Sequence, residues 1–119
     1  MSRDVRKLHV FQRADELLMR VYRISSFPSV ERYSLQQRLR RAALSTAANI
    51  VEGSARRTTR EYLNFINIAA GSATEARYLA DVSGRVGFIA AEDATELVSR
   101  YMDLSARLQA LIGSLSSEP

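Results

Sequence analysis

The sequence predicts an all-α protein, an up-down-up-down antiparallel bundle of four helices. Proline occurs only at positions 28 and 119, so long stretches of the chain are free to be helical. No stretch alternates apolar and polar residues as a half-buried strand does. Apolar residues instead recur at helical spacing, and connections of roughly 3 to 8 residues between these stretches favour antiparallel neighbours.

Helix 1 is predicted from about Leu8 to Ser25, ended by Phe27-Pro28 because the residue before proline disfavours helical geometry. One face carries Val10, Ala14, Leu17, Val21 and Ile24. Beside it lie Phe11, Leu18 and Tyr22, which widen the apolar surface beyond what one neighbouring helix covers. Together with Tyr101 of helix 4, this excess of apolar surface predicts self-association.

Helix 2 is expected to begin near Leu35, because Ser34 followed by Gln37 resembles a capping box, and to end near Gly53. Its predicted buried residues are Leu35, Leu39, Ala42, Ala43, Ala47, Ile50 and Val51. A second capping box, Thr58 with Glu61, predicts the start of helix 3. The core face of helix 3 is Tyr62, Phe65, Ile66, Ala69, Ala73, Ala76 and Ala80.

Gly84 and Gly87 predict the end of helix 3. Helix 4 has no strong N-cap in Ile89-Ala90-Ala91, although the following Glu92 and Asp93 suit the positive end of a helix. Its apolar stripe is Ala94, Leu97, Val98, Tyr101, Leu104, Leu108, Leu111 and Ile112. The tail from Ser114 to Pro119 is expected to fray.

Two polar stripes run through helices 2 and 3. They are Arg41, Ser45, Asn49 and Glu52 on helix 2, and Asn64, Asn67, Gly71 and Glu75 on helix 3. If the chain folds back at Thr58, Arg41 and Glu75 stand at equal heights, because each lies 17 residues from that point. The other matched pairs are Ser45 with Gly71, Asn49 with Asn67, and Glu52 with Asn64.

This polar seam predicts a partly buried ion pair between Arg41 and Glu75 and a close approach of the two helices at Gly71. The favoured interpretation is that the seam specifies helix register and subunit contact. Two alternatives stay open. One is a ligand or catalytic site built from Arg41, Asn49, Glu52 and Glu75. The other is direct contact with nucleic acid.

Length and composition indicate one soluble, cytoplasmic domain of 119 residues with an ordered core over about residues 8–113. The chain has no cysteine, which excludes disulfides and cysteine-based metal sites. No run approaches the roughly 20 apolar residues that cross a bilayer. His9 is the only histidine and has no second ligand at metal spacing. We therefore expect no enzyme activity, cofactor, metal or membrane partner.

Charge is distributed unevenly within the net +4. Residues 1–60 hold 13 basic and 5 acidic side chains, and residues 61–119 hold 4 and 8. In the up-down topology, the start of helix 1 and the helix 2–3 loop meet at one end, where six basic residues gather and Arg13 extends the patch. These seven candidate nucleic-acid contacts are Arg3, Arg6, Lys7, Arg13, Arg56, Arg57 and Arg60. A solvated helix end without a ligand is the alternative.

The combination of several short segments resembles the bacterial four-helix-bundle proteins encoded in intervening sequences of 23S rRNA genes. These segments are Val10-Phe11-Gln12-Arg13-Ala14, Phe27-Pro28, Arg40-Arg41-Ala42-Ala43, Ser45, Asn49-Ile50, Glu52-Gly53, Gly71-Ser72 and Glu75. The resemblance covers about residues 8–112, with Phe11 where the family usually has tryptophan and Ala47 where it often has proline.

The resemblance implies a ring-shaped homo-oligomer, a pentamer, and no enzyme activity. It also suggests kinship with the accessory variability determinant of diversity-generating retroelements, a basic pentamer that works with a reverse transcriptase and nucleic acid. Two functions therefore compete. One is a nucleic-acid-binding accessory oligomer acting on RNA or DNA with a protein partner such as a reverse transcriptase. The other is a structural protein–protein interaction module without direct nucleic-acid binding.

Overall fold

Four α-helices form an elongated bundle with principal dimensions of 50 × 20 × 20 Å. The computed structural model describes residues 8–25 and 30–116, with side chains described from residue 33 in the second range. The helices are α1 (His9–Ile24), α2 (Val30–Ser54), α3 (Thr59–Arg85) and α4 (Ala91–Ser116). Each helix packs against the two helices adjacent to it in the cycle α1, α2, α3, α4, and the Cα atoms of the diagonal pairs of these described helices stay more than 8 Å apart. The predicted all-α, four-helix class is confirmed.

The start of α2 differs from the prediction. The helix begins at Val30, so Ser34 lies within it and does not cap it. Gln37 instead donates a hydrogen bond to the Tyr33 hydroxyl one turn earlier. No proline or glycine lies between Val30 and Ser34, so nothing in the backbone chemistry stops the helix from extending toward its N-terminus. The predicted stop at Phe27-Pro28 falls in residues 26–29, outside the described part.

The ends of α3 agree with the predictions. The Thr58 side chain accepts a hydrogen bond from the Glu61 backbone N–H at 3.1 Å, which confirms the N-cap. Gly87, two residues after the helix ends at Arg85, has φ +80°, a left-handed conformation that a side chain disfavours. At α4 the helix continues through Ser114 to Ser116, further than expected, and residues 117–119 lie outside the described part.

The core face of α3 is rich in alanine and also carries the bulky side chains of Tyr62, Ile66 and Leu79. Ala69, Ala73, Ala76 and Ala80 are fully buried. Tyr62 and Tyr101 are the largest side chains that are fully buried. Small residues on α3 allow close helix packing, and the two tyrosine rings supply bulk to the core from α3 and α4.

Two residues predicted to widen the outer surface are core residues. Leu18 and Tyr101 are buried, and Phe11 packs partly buried against the core, so only Tyr22 of that set is exposed. Val51, predicted to be buried, is 42% exposed. Among the side chains that the structure describes, the large exposed apolar ones are instead Met19, Tyr22, Tyr33, Leu44, Val51, Ile68, Tyr78, Val86 and Met102. All four helices contribute to this set.

Candidate functional site: the α2–α3 loop and the polar seam

The α2–α3 loop is a short connection held by its own backbone. Ala55 and Arg56 donate backbone hydrogen bonds to the carbonyls of Glu52 and Gly53, at 3.3 and 3.0 Å. Thr58 then caps α3, four residues after α2 ends. The loop therefore presents Arg56, Arg57 and the first turn of α3 at one end of the bundle.

Arg56 is held against the bundle surface. Its guanidinium forms an ion pair with Glu52 one turn earlier, and its Nε donates to the Glu52 carbonyl at 3.3 Å. The guanidinium also lies over the Phe65 ring, 4.9 Å from its centroid. Gly53 makes room for this arrangement, because a Cβ there would stand 3.0 Å from the Phe65 Cβ. Part of the Arg56 charge is thus neutralised, and its position is fixed.

Arg57 and Arg60 are exposed beside the start of α3. The unpaired backbone N–H groups at a helix N-terminus carry partial positive charge, which adds to that of the two arginines. Such an end can hold an anion such as phosphate. The N-terminal candidates Arg3, Arg6 and Lys7 lie outside the described residues.

Arg13 does not join the loop. It reaches toward α4, where its Nη1 lies 3.9 Å from a carboxylate oxygen of Asp103. A hydrogen bond from Arg107, with the charges of Arg107 and Arg13, holds the pKa of the Asp103 carboxyl below its usual value. The Nε of Arg13 is buried and forms no hydrogen bond within the described structure. This side chain therefore links α1 to α4.

One polar contact joins α2 to α3 close to the height predicted for the seam. The hydroxyls of Ser45 and Ser72 share a hydrogen bond of 2.8 Å between α2 and α3. Asn49 donates to the Ser45 carbonyl at 2.8 Å and to its hydroxyl at 3.1 Å. The partner predicted for Ser45 was Gly71, so the helix register is correct to within one residue.

The predicted face of α3 is wrong. Asn64, Asn67, Gly71 and Glu75 are all exposed, as is Arg41 of α2. Among ion pairs between described residues, none joins Arg41 to Glu75, and a Cβ on Gly71 would meet no atom within 4 Å. The rotation of α3 about its axis is decided by the burial of Ile66 and of the core alanines (Ala69, Ala73, Ala76 and Ala80). Exposing these apolar side chains would cost more free energy than pairing the polar stripe would gain.

A close approach of two helices lies instead near the opposite end of the bundle, between Gly84 of α3 and Ala94 of α4. A Cβ on Gly84 would stand only 2.4 Å from the Cβ of Ala94. Gly84 was expected only to end the helix. A glycine near the end of α3 and an alanine in the first turn of α4 could have predicted from the sequence that the two helices cross closely here.

Two arginine clusters were missed by sequence reasoning. Arg20 of α1 bonds Asp93 and Glu96 of α4, at 2.9 and 3.0 Å. Arg40 of α2 donates to the Ser25 hydroxyl at 2.9 Å and lies 4.5 Å over the Tyr22 ring. Both clusters could have been predicted from height along the bundle, because the end of α1, the start of α2 and the start of α4 meet at one end of an up-down bundle.

The described residues offer neither a metal site nor a membrane-crossing helix. Within residues 8–25 and 30–116, no cluster of three or more histidine, cysteine or acidic residues could hold a metal ion. His9 is exposed at the first position of α1. In the same ranges, the helices are too polar to qualify as membrane-crossing segments.

Comparison with known proteins identifies the family. The family model for the 23S rRNA-intervening sequence protein matches residues 6–110. The chain belongs to this family. The crystal structure of a protein with unknown function from the S23 ribosomal protein family of Bacteroides thetaiotaomicron is similar, with a TM-score of 0.78 and 22% identity. The similarity covers 87% of this chain and 97% of that one, and at this identity it shows the fold alone. A search of curated proteins finds no match.

Proposed function

We propose that this protein is a non-enzymatic homo-oligomer of the 23S rRNA-intervening sequence type that binds the backbone of RNA or DNA through the α2–α3 loop. The observation that carries the proposal is the exposure of Arg57 and Arg60 at the N-terminus of α3. Phosphate groups are the ligand that arginine side chains and a helix N-terminus bind together.

The aromatic residues near the loop favour contact with phosphates over base stacking. Tyr62 is only 1% exposed, and Arg56 lies over the Phe65 ring. The buried Tyr62 ring cannot stack on a base, and Arg56 already covers one face of the Phe65 ring, whereas many single-strand binders hold bases on free aromatic faces. Binding through phosphates alone gives affinity without strong sequence preference.

The non-enzymatic part of the proposal is supported by the partners of the seam residues. Ser45 and Asn49 bond each other and Ser45 bonds Ser72, while Glu52 pairs with Arg56. Arg41 and Glu75 are exposed without a mutual contact, so the residues of the catalytic alternative do not converge. A basic oligomer of this kind would act on nucleic acid beside a partner enzyme, for which a reverse transcriptase is the candidate.

We expect the double variant Arg57→Gln/Arg60→Gln to bind RNA and DNA probes more weakly, by a similar factor for every sequence. The salt dependence should also flatten, by roughly 0.7 to 0.9 in the log–log slope for each phosphate that the variant no longer neutralises. The measurement is fluorescence anisotropy with labelled single- and double-stranded probes between about 50 and 200 mM salt.

A matched control is Arg23→Gln/Arg38→Gln, which removes the same charge from exposed positions toward the opposite end of the bundle. It should bind nearly as the parent does. Arg56→Gln alone should weaken binding less than Arg60→Gln alone, because Glu52 already neutralises part of the Arg56 charge. Equal decreases in affinity for the loop and control doubles would show that net charge acts and the loop is not a site.

The second candidate function, a structural interaction module, is favoured by the large apolar side chains that remain exposed on all four helices. It requires no nucleic acid at all. If the parent binds none of the probes even near 50 mM salt, where phosphate contacts are strong, this function replaces the first.

A further inference from the structure

We propose that the outer face of α2 binds an acidic amphipathic helix of a different protein. The contact does not depend on the nucleic-acid binding proposed for the α2–α3 loop at the end of the bundle. Two groups of residues on α2 carry it. The basic group is Tyr33, Arg38 and Arg41, and the apolar group is Leu44, Ala48 and Val51.

The arginines of the basic group are exposed and keep their charges unpaired within the described part of the chain. Other arginines pair with the acidic residue four positions earlier: Arg56 with Glu52, Arg85 with Asp81, Arg100 with Glu96, and Arg107 with Asp103. At that position Arg38 and Arg41 have Ser34 and Gln37, which carry no charge. Their guanidinium groups are therefore open to the carboxylates of another molecule.

An exposed aromatic ring lies beside these arginines. Tyr33 is 57% exposed, and its hydroxyl accepts a hydrogen bond from Gln37, which restrains the ring. With Ser34, Arg38 and Arg41, the two residues line a surface groove of about 520 Å³. Every lining residue belongs to α2, so the groove is open along one helix and does not enclose a small molecule, whose binding sites are concave. A partner that extends along the helix surface fits this shape.

The apolar group favours a protein partner over nucleic acid. Leu44 follows Arg41 after three residues, and Ala48 and Val51 follow at spacings of four and three, which keeps them on one face of α2. Leu44 is 49% exposed and Val51 is 42% exposed. An amphipathic helix buries such a stripe with its own apolar face, whereas a phosphate backbone gains nothing from it. Tyrosine and arginine are also the residue types that dominate binding energy at protein interfaces.

The described helices of a second copy of this chain do not supply the matching pattern. Two carboxylates that face Arg38 and Arg41 from one helix must lie three or four residues apart. The acidic residues that form no ion pair within the described part of the chain are Asp15, Glu16, Glu61, Glu75 and Glu92. No two of them have that spacing, so the occupant is a different protein.

A synthetic peptide is the probe for this surface. It is a helix of about 20 residues, long enough to be helical in water, with two glutamates one turn apart on one face. Leucines occupy the same face in the turns before and after, so that either direction of the peptide presents them to Leu44 and Val51. A matched peptide of identical composition carries the two glutamates on its opposite face. In fluorescence anisotropy, the parent should bind the first peptide more tightly than the second.

Two double variants of equal charge locate the contact. Arg38→Gln/Arg41→Gln should weaken binding of the first peptide by about tenfold, the effect of two exposed ion pairs. Arg57→Gln/Arg60→Gln removes the same charge from the loop and should bind this peptide as the parent does. Leu44→Gln should also weaken binding, because it removes apolar surface from the contact. The changed side chains are exposed, and circular dichroism should show the helicity of the parent in each variant.

Several results would overturn the inference. A parent that binds neither peptide has no such surface, and equal binding of the two peptides or equal losses in the two double variants would reduce the contact to net charge. Loss of RNA or DNA binding by Arg38→Gln/Arg41→Gln would assign the surface to nucleic acid. A change in the mass of that variant in light scattering would assign the surface to a second copy. The proposed function fails on a different result, a parent that binds no nucleic acid, and that result leaves peptide binding unaffected.

Discussion

Replacing Tyr101 with alanine is expected to lower the free energy of unfolding by about 3–5 kcal/mol, the usual cost of removing a large buried aromatic ring. Tyr101 is fully buried on α4, and its ring is one of the two largest side chains in the core. The buried alanines of α3 (Ala69, Ala73, Ala76 and Ala80) have only methyl groups, which are too short to move into the space. Urea unfolding at matched protein concentration measures the decrease, since self-association adds to apparent stability.

The variant Tyr101→Phe separates the contribution of the ring to stability from that of the hydroxyl. The Tyr101 hydroxyl is buried and has no hydrogen-bond partner in the described structure. A buried polar group without a partner costs about 1–3 kcal/mol, so Tyr101→Phe should be as stable as the parent or more stable. A decrease of more than about 1 kcal/mol in this variant would show that the hydroxyl has a partner, such as a buried water.

The same residue predicts a loss of stability at alkaline pH. Burial raises the pKa of Tyr101 far above its ordinary value of 10.0. The folded state therefore retains the proton at a pH where the unfolded chain releases it. This contribution to stability is fully present below pH 10 and is lost above it, by about 1.4 kcal/mol for each pH unit.

Tyr101→Phe should accordingly show a shallower decrease in unfolding free energy above pH 10 than the parent. The remaining tyrosines are present in both proteins, so the difference between the two curves isolates residue 101. Parallel curves would mean that the Tyr101 hydroxyl titrates alike in the folded and unfolded states, and therefore that it reaches solvent.

The elements of the fold could be predicted from the sequence because their signals are local. The Thr58–Glu61 cap and the glycines at the end of α3 act within one turn of the chain, and both are observed. The Ser34–Gln37 pair has the same pattern but lies inside α2. A cap motif competes with continued helix, and with no proline or glycine nearby the helix continues.

For the polar seam, the sequence predicted the heights of the residues along α2 and α3 but not the rotation of α3 about its axis. Counting residues from the turn placed Ser45 within one residue of its partner Ser72, because rise per residue is nearly constant in helices. The facing side of α3 depends on how all the buried side chains pack together, and that is a property of the bundle. The polar stripe on α3 therefore faces solvent, whereas Ser72, absent from the predicted seam, makes the contact.

Arg13 shows a different limit of prediction from the sequence. Arg13 was assigned to the patch because it follows the start of helix 1, but α-helical geometry turns it toward Asp103 of α4. Knowing which end of the bundle a residue lies at gives its height along the bundle but not the direction in which its side chain points. The prediction for Arg56, Arg57 and Arg60 depended less on direction, because the loop itself forms the end.

Glycine-to-alanine substitution is expected to have opposite effects at two positions of α3. At Gly84 the added methyl would stand 2.4 Å from the Cβ of Ala94, a separation that the helix pair can accommodate only by moving apart. Overpacking of this kind typically costs about 1–3 kcal/mol. At Gly71, in mid-helix, the methyl meets no atom within 4 Å, so alanine should stabilise the protein by about 1 kcal/mol.

The double variant Gly84→Ala/Ala94→Gly should recover part of the stability that Gly84→Ala loses, because it moves the single methyl from one side of the crossing to the other. Recovery will be incomplete, since glycine in the first turn of α4 also carries an entropic cost. Urea unfolding of the parent, the two single variants at 84 and 94 and the double variant gives the coupling energy between the positions. Additive effects would show that the methyl groups at positions 84 and 94 do not meet, and therefore that α3 and α4 are farther apart at this crossing than the 2.4 Å separation implies. If Gly71→Ala were destabilising, the outer face of α3 would be in contact with another chain.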